Sequence, residues 1–334
     1  LLADIHFGYS IGEKNAELLV NAINAQKPDL VCIAGDIFDN EYEGLKNPKK
    51  TASTLRSIRS RYGVYACWGN HDLNEPILAG FTFRSANKDY DDPRMTQFLK
   101  DANIRLLNDE TVLINDRFYL TGRKDPSRCR KMDDTRKSPS QLTKSLDLRR
   151  PVIFMDHQPG ELDEVASSGA DLDLCGHTHD GQLFPLNIIT GLVWENSCGY
   201  LKKGNMHNIV TSGVGIWGPN MRTATNSEIC ADRRHHCAFF LAICILTALY
   251  SNTSNTHFHL SDYYPHQPYP LQFFVPCGHI PIYFCTLPFL MQAHHHVLCL
   301  HLPHFAHFHN LSHISNLPRQ LHTMPVLFRS FFFL

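Results

Sequence analysis

The chain has 334 residues, 43% of them hydrophobic and 19% charged, enough apolar material for one large core or two smaller ones. Lys+Arg of 31 against Asp+Glu of 32 leaves a formal net charge of −1, which excludes a general nucleic-acid binder steered by long-range attraction. No stretch reaches the ~18 apolar residues of a membrane span, and the longest, Cys237 to Tyr250, is too short to span unaided. In chain order, Leu1–Asp4 reads as the end of a strand. It begins without Met, so a preceding N-terminal segment is expected and the lack of a signal peptide carries little weight. Glu13–Ala25 places Leu18, Leu19, Ala22 and Ile23 at helical spacing. Asp29–Ala34 is an apolar run ending at Gly35, the pattern of a strand buried on both faces. Thr51–Arg61 reads as a basic helix, Gly63–Trp68 as a strand closed by Gly69, and Pro93–Ala102 as a helix. Ile104–Leu107, Thr111–Ile114 and Phe118–Thr121 read as an antiparallel meander. Lys124–Lys137 is charged and reads as a surface loop. Ser138–Leu148 reads as a helix with Ser138 as N-cap and Pro139 in its first turn. Pro151–Met155 and Leu172–Cys175 read as strands around a helix at Glu161–Ser167, with further strands expected at Gly191–Glu195 and Asn208–Ser212. This alternation predicts an α/β fold, with a mixed sheet or two sheets covered by helices. Cys32, Cys67 and Cys175 sit in the strand-like runs and read as small buried thiols.

The composition breaks near residue 229, so the chain divides into a domain over 1–228 and a tail over 229–334. The tail has no Lys, one Gly (Gly278) and 15 of the 21 His. Its only charged residues are Asp232, Arg233, Arg234, Asp262, Arg319 and Arg329. It reads in three ways: a His-rich metal-binding tract, an apolar membrane-associated tail, or a disordered, non-native extension such as out-of-frame translation. Many prolines without period favour the last over a packed second domain.

Polar residues cluster where the buried strands of the first block end. They are Asp4-Ile5-His6, Gly35-Asp36-Ile37-Phe38-Asp39, Gly69-Asn70-His71-Asp72, Asp156-His157 and Gly176-His177-Thr178-His179. Ligands of α/β sheets bind beyond the carboxyl ends of strands, so these loops converge on one place. Carboxylates suit hard divalent cations, imidazoles suit borderline ones, and an aspartate can bridge two ions. The glycines before Asp36, Asn70 and His177 allow sharp turns and close approach of the backbone.

The order Asp-x-His, Gly-Asp-x-x-Asp, Gly-Asn-His-Asp, His, Gly-His-x-His resembles the calcineurin-like metallophosphoesterase superfamily over essentially residues 1–228. Gly176-His177-Thr178-His179-Asp180-Gly181-Gln182 is similar to a bacterial subgroup with Gly-His-Thr-His-Gly-Gly-Gln, from which Asp180 departs. The resemblance implies two mixed β-sheets flanked by helices, a four-layer α/β/β/α sandwich. It implies two divalent ions, Mn, Fe, Zn or Mg. Asp4, His6 and His179 would hold the first ion, and Asn70, His157 and His177 the second. Asp36 would bridge them. His71 would face the substrate phosphate as a catalytic group, oriented by Asp39. Arg123 and Arg222 are candidate phosphate clamps or, equally, members of structural ion pairs.

The implied reaction is hydrolysis of a phosphodiester by hydroxide bridging the two ions, with His71 offsetting charge and protonating the leaving group. The partner is a phosphate-ester substrate, lipid-linked or nucleotide-linked. Alternatives are a phosphomonoesterase of the same fold and a non-catalytic binding scaffold. Membrane association or a cell-envelope location would come through a preceding N-terminal segment, whereas the chain as given reads as cytoplasmic.

Overall fold

A computed structural model describes residues 1–78, 81–83, 90–223, 225–233 and 296–301. The first elements are α1 (Glu13–Ala25), β1 (Val31–Ala34), α2 (Pro48–Leu55), β2 (Val64–Cys67), β3 (Ile77–Leu78), β4 (Phe81–Thr82), α3 (Pro93–Asp101) and β5 (Ile104–Leu106). There follow β6 (Glu110–Ile114), β7 (Phe118–Gly122), α4 (Pro126–Met132), α5 (Pro139–Thr143), β8 (Val152–Met155), α6 (Leu162–Ser167), β9 (Leu172–Cys175), α7 (Leu186–Val193), β10 (Gly199–Lys203), β11 (Met206–Val210), β12 (Glu228–Arg233) and β13 (His296–His301).

Two sheets carry the fold. The first runs β1-β2-β5, all parallel, with Val31 opposite Val64 and Val64 opposite Ile104. Leu2 extends it with a parallel bridge to Ile33. The second runs β10-β11-β9-β8-β7-β6, parallel in the middle and antiparallel at both edges. Strand β1 packs against β8 and β9, so the sheets face each other. Leu19, Val20 and Ile23 of α1, Leu55 of α2 and Phe98 of α3 close the core of the first sheet. Leu142, Leu162 and Val165 of α5 and α6 close a core with Val152 and Phe154 of the second. The chain is thus an α/β protein of two sheets flanked by helices.

Several elements differ from the sequence reading. Strand β5 pairs with β2 in the first sheet, so the expected meander reduces to the β6–β7 hairpin. Its turn residues Asn115 and Asp116 both have positive φ, 48° and 55°, the conformation a tight hairpin demands. The expected loop at 124–137 contains α4, capped by Asp125, whose carboxylate accepts the Arg128 N–H at 2.8 Å. The helix expected over Ser138–Leu148 stops at Thr143. Asp147 draws the chain out by accepting the Arg149 N–H and guanidinium ahead of Pro151, a side-chain competition with the helical backbone. The strand expected at Gly191–Glu195 is instead the end of helix α7, in which Thr190 Oγ1 donates back to Leu186 O at 3.2 Å.

Ile229 and Cys230 are buried, and Cys230 exchanges backbone hydrogen bonds with Leu1. Strand β12 pairs with β13. The expectations for the rest of the 229–334 block lie outside the described residues.

Candidate metal centre

The donor side chains stand at strand ends of both sheets. Asp4 and His6 follow the bridge at Leu2, Asp36 follows β1, and Asn70 and His71 follow β2. His157 follows β8, and His177 and His179 follow β9. The backbone there is forced into unusual shapes. Asp4, His6, Asp36, His177 and His179 have φ of 54°, 53°, 50°, 72° and 50°. Such left-handed conformations cost non-glycine residues on the order of 1–3 kcal/mol each, and their concentration in one cluster marks it as functional. Asp180, at φ 48°, occupies the subgroup's glycine position, and Asp is one of the few residues that tolerate that region. A Cβ at Gly69 would overlap Asp36 Oδ1, so only glycine lets the two loops meet.

Among the described residues donors form three groups, one of them His6, Asp39 and His71, and the expected ligands fall in the other two. Asp4, His6 and His179 offer atoms within 4.8 Å of one another, and so do Asp36, His157 and His177. Asp36 Oδ2 joins them, 3.1 Å from His157 Nε2 and 3.9 Å from His6 Nε2. Asn70 Oδ1 lies 3.0 Å from His157 Nε2. The His177 N–H donates to both oxygens of Asp4, at 3.1 and 2.9 Å.

Hydrogen bonding shows whether a cation fits. His157 Nδ1 lies 2.8 Å from Ala34 O, which only accepts, so Nδ1 carries the proton. Nε2 faces Asp36 Oδ2, Asn70 Oδ1 and His177 Nδ1 at 3.1, 3.0 and 3.3 Å, the place for either a second proton or a metal ion. In the other group, His6 Nε2 and His179 Nε2 face each other at 3.1 Å. Lone pairs converging in a buried place require a proton or a metal ion between them, and the mixed carboxylate, amide and imidazole set suits a divalent metal.

Electrostatics divide the imidazoles, with His6 and His157 favouring a proton and His177 and His179 favouring the neutral form. Burial pushes the Asp36 carboxyl up, but His157, His71 and His6 outweigh it and hold it well below the usual range. Burial works against a charged His157, yet Asp36, Asp4 and Asp125 hold its pKa well above normal. His177 falls to about 3, chiefly through burial and then the neighbouring His157. His179 falls to about 4 through burial, against the pull of Asp4. These two imidazoles are therefore neutral at pH 7, the form a metal requires.

The remaining expected site residues divide. His71 lies beside the cluster, its ring 5.0 Å from that of His6. Its Nδ1 is 2.6 Å from Asn40 Oδ1 and 4.0 Å from Asp39 Oδ1. Asn40 thus holds the imidazole more closely than Asp39, which approaches His6 Nδ1 at 3.4 Å. Arg123 is 1% exposed and paired with Asp156 at 2.5 Å and Glu161 at 2.9 Å. Arg222, also 1% exposed, donates to Ser212 O, Thr225 Oγ1, Asn226 O and Gly215 O, with Nη2 3.3 Å from His179 Nδ1. The terminal nitrogens of both guanidiniums are held by protein groups, whereas Nε of each is buried without a hydrogen-bond partner among the described residues.

Sequence reasoning assigned no role to Asn40, Asp72 or Gln182. Asn40 directly follows the Gly-Asp-x-x-Asp motif. Asp72 accepts the N–H groups of Ile37, Phe38 and Gly69 at 2.9, 2.9 and 2.7 Å, tying the β1 and β2 loops together. Gln182 Nε2 donates to Trp217 O and Met221 O. The signal for the last two was their place inside motifs already recognised.

A calcineurin-like phosphoesterase family model matches residues 1–181. The chain is 30% identical over 234 residues to an uncharacterized metallophosphoesterase of Helicobacter pylori strain J99, covering 69% of this chain and 57% of that protein. It is 30% identical over 234 residues to a transmembrane protein with metallophosphoesterase domain from Danio rerio, covering 69% of this chain and 51% of that one. UDP-2,3-diacylglucosamine pyrophosphatase LpxG of Chlamydia trachomatis is 20% identical over 215 residues, covering 54% of this chain and 63% of that protein. The chain therefore spans little more than half the length of the first two relatives. With the family model matching more than half of the chain, and with donors that suit a divalent metal, the chain belongs to the calcineurin-like phosphoesterase family.

Proposed function

We propose that the chain hydrolyses a phosphodiester with two divalent ions, Asp4, His6 and His179 holding one, Asn70, His157 and His177 the other, and Asp36 shared. The observation that carries this reading is the position of Asp36 Oδ2 within reach of both His6 and His157. Ions bound there would supply Lewis acidity to the phosphoryl oxygens and a water of lowered pKa.

The chain's own groups do the rest. Asn40 Oδ1 accepts from His71 Nδ1, which turns Nε2 away from Asn40 and leaves it free for the substrate. A proton on that nitrogen would stabilise the phosphate and pass to the leaving oxygen. Arg222 and the Thr225 hydroxyl, the latter donating to His179 O at 3.2 Å, hold the His179 loop in place. The substrate class is a phosphate ester that is lipid-linked, nucleotide-linked or both. Support comes from a relative named as a UDP-2,3-diacylglucosamine pyrophosphatase, a name that carries both a nucleotide and acyl groups, and from another named as a transmembrane protein, which also makes a membrane setting part of the proposal. Among the described residues no helix is long and apolar enough to cross a membrane.

The test is turnover of aryl phosphodiesters and monoesters by protein stripped of metal and reloaded with Mn, Fe, Zn or Mg. Restoration of diester hydrolysis at two ions per chain is expected. Preference for monoesters would shift the reading to a phosphomonoesterase. Two bound ions with no turnover of either would leave a binding scaffold.

A further inference from the structure

Helix α7 is built unlike the other helices. It has no buried residue, yet Leu186, Ile188, Ile189, Leu192 and Val193 are 40%, 56%, 44%, 82% and 69% exposed. Phe184, just before it, is 69% exposed. The Phe184 N–H donates to Thr223 Oγ1 at 3.0 Å, which brings the exposed Met221 to the same neighbourhood. No charged residue occurs between Asp180 and Glu195. Single exposed apolar side chains are ordinary, but a contiguous uncharged patch marks an interaction surface.

The patch adjoins the metal centre. The Trp194 ring meets the His177 ring edge-on at 5.5 Å, and Thr178 Oγ1 donates to Ser197 O at 2.5 Å. Whatever covers α7 therefore lies at the edge of the cluster.

We propose that α7 seats on the surface of a phospholipid bilayer and presents the metal centre to phosphate esters held in that bilayer. The proposal rests on the phosphoesterase reading above. Three features select lipid as the occupant. The run carries no charge to match a polar protein surface, but it matches hydrocarbon. Aromatic residues stand at both ends, Phe184 and Trp194, the placement favoured at the level of lipid headgroups. A helix of this length is about 12 Å long and about 10 Å across, a footprint well short of the ~800 Å² per partner that a stable dimer buries.

The experiment is flotation of the full chain with phosphatidylcholine vesicles, repeated with Leu192→Asp and Val193→Asp, together with turnover of a water-soluble aryl phosphodiester and sedimentation without lipid. The parent chain should float. Each variant should partition at least about tenfold less, with unchanged turnover of the soluble ester. A parent that stays in the aqueous phase, or variants that float equally well, would overturn the proposal. So would a dimer that the variants dissociate without any vesicle binding, which would assign α7 to a second copy. Loss of soluble-ester turnover in parent and variants alike, with flotation still dependent on α7, would count against the catalytic reading and leave the lipid surface standing.

Discussion

Replacing Asp72 with Ala removes an acceptor that no nearby group can replace. Its carboxylate takes three backbone N–H groups, from Ile37, Phe38 and Gly69, and is 1% exposed. Each buried donor left unsatisfied costs about 1–3 kcal/mol. With water entering the vacated space, a total of about 3–5 kcal/mol is expected, a large part of the ~5–15 kcal/mol that holds a domain folded. Asp72→Asn keeps one acceptor oxygen, which can serve Ile37 and Phe38, but turns an amide N–H toward Gly69. It should cost about 1–3 kcal/mol. Urea unfolding followed by tryptophan fluorescence reports this directly, because Trp68 is buried just before the affected loop. Bound metal should fall in the same order, since Asp72 joins the loops that carry Asp36 and Asn70. An Ala variant within 1 kcal/mol of the parent, or an Asn variant as damaged as the Ala, would refute this account of how the loops are held.

Three further outcomes are expected. Asp36→Asn should lower bound metal and turnover together, and elemental analysis finding two ions at full activity would rule out its shared position. His71→Ala should keep metal content but lose on the order of 10²–10⁴ in rate, with a smaller loss for substrates whose leaving groups are strongly acidic. An equal loss across leaving groups would leave His71 only the role of offsetting charge. Asp173 is buried, and burial followed by the Asp156 charge raises its pKa from 3.8 to about 7. The folded state therefore binds the extra proton, and stability from this group, present below pH 3.8, is lost as pH rises through 7. Between pH 5 and pH 8, Asp173→Asn should gain on the parent by about 1–3 kcal/mol; a pH-independent difference in urea unfolding would disprove it.

Strand ends were legible where sequence pattern and chemistry coincide. The run ending at Gly35-Asp36 and the strand ending at Gly69-Asn70 announce themselves by an apolar stretch stopped by a glycine and a polar ligand type. Helix α1 matched its expected bounds because its apolar positions repeat at helical spacing. The reading failed where tertiary pairing decides. Nothing in Ile104–Leu106 says that it joins β2 rather than β6. The α7 segment is apolar without burial, so an expectation that equates apolar runs with core strands misplaces it. Asn40 was hidden because its role depends on where His71 points, a property of the fold and not of spacing.

The grouping of the donors has a mechanical consequence. Asp4, His6 and Asn70 stand on the first sheet, whereas His157, His177 and His179 stand on the second. The Asp4, His6 and His179 group and the Asp36, His157 and His177 group therefore each straddle the seam where β1 faces β8 and β9. An ion seated there acts as a rivet across two plates. Sliding of the sheets opens both coordination sets at once, and the buried residues whose register faces the seam, such as Ala34 and Cys67 of the first sheet and Met155 and Leu174 of the second, set the gauge of the site from a distance.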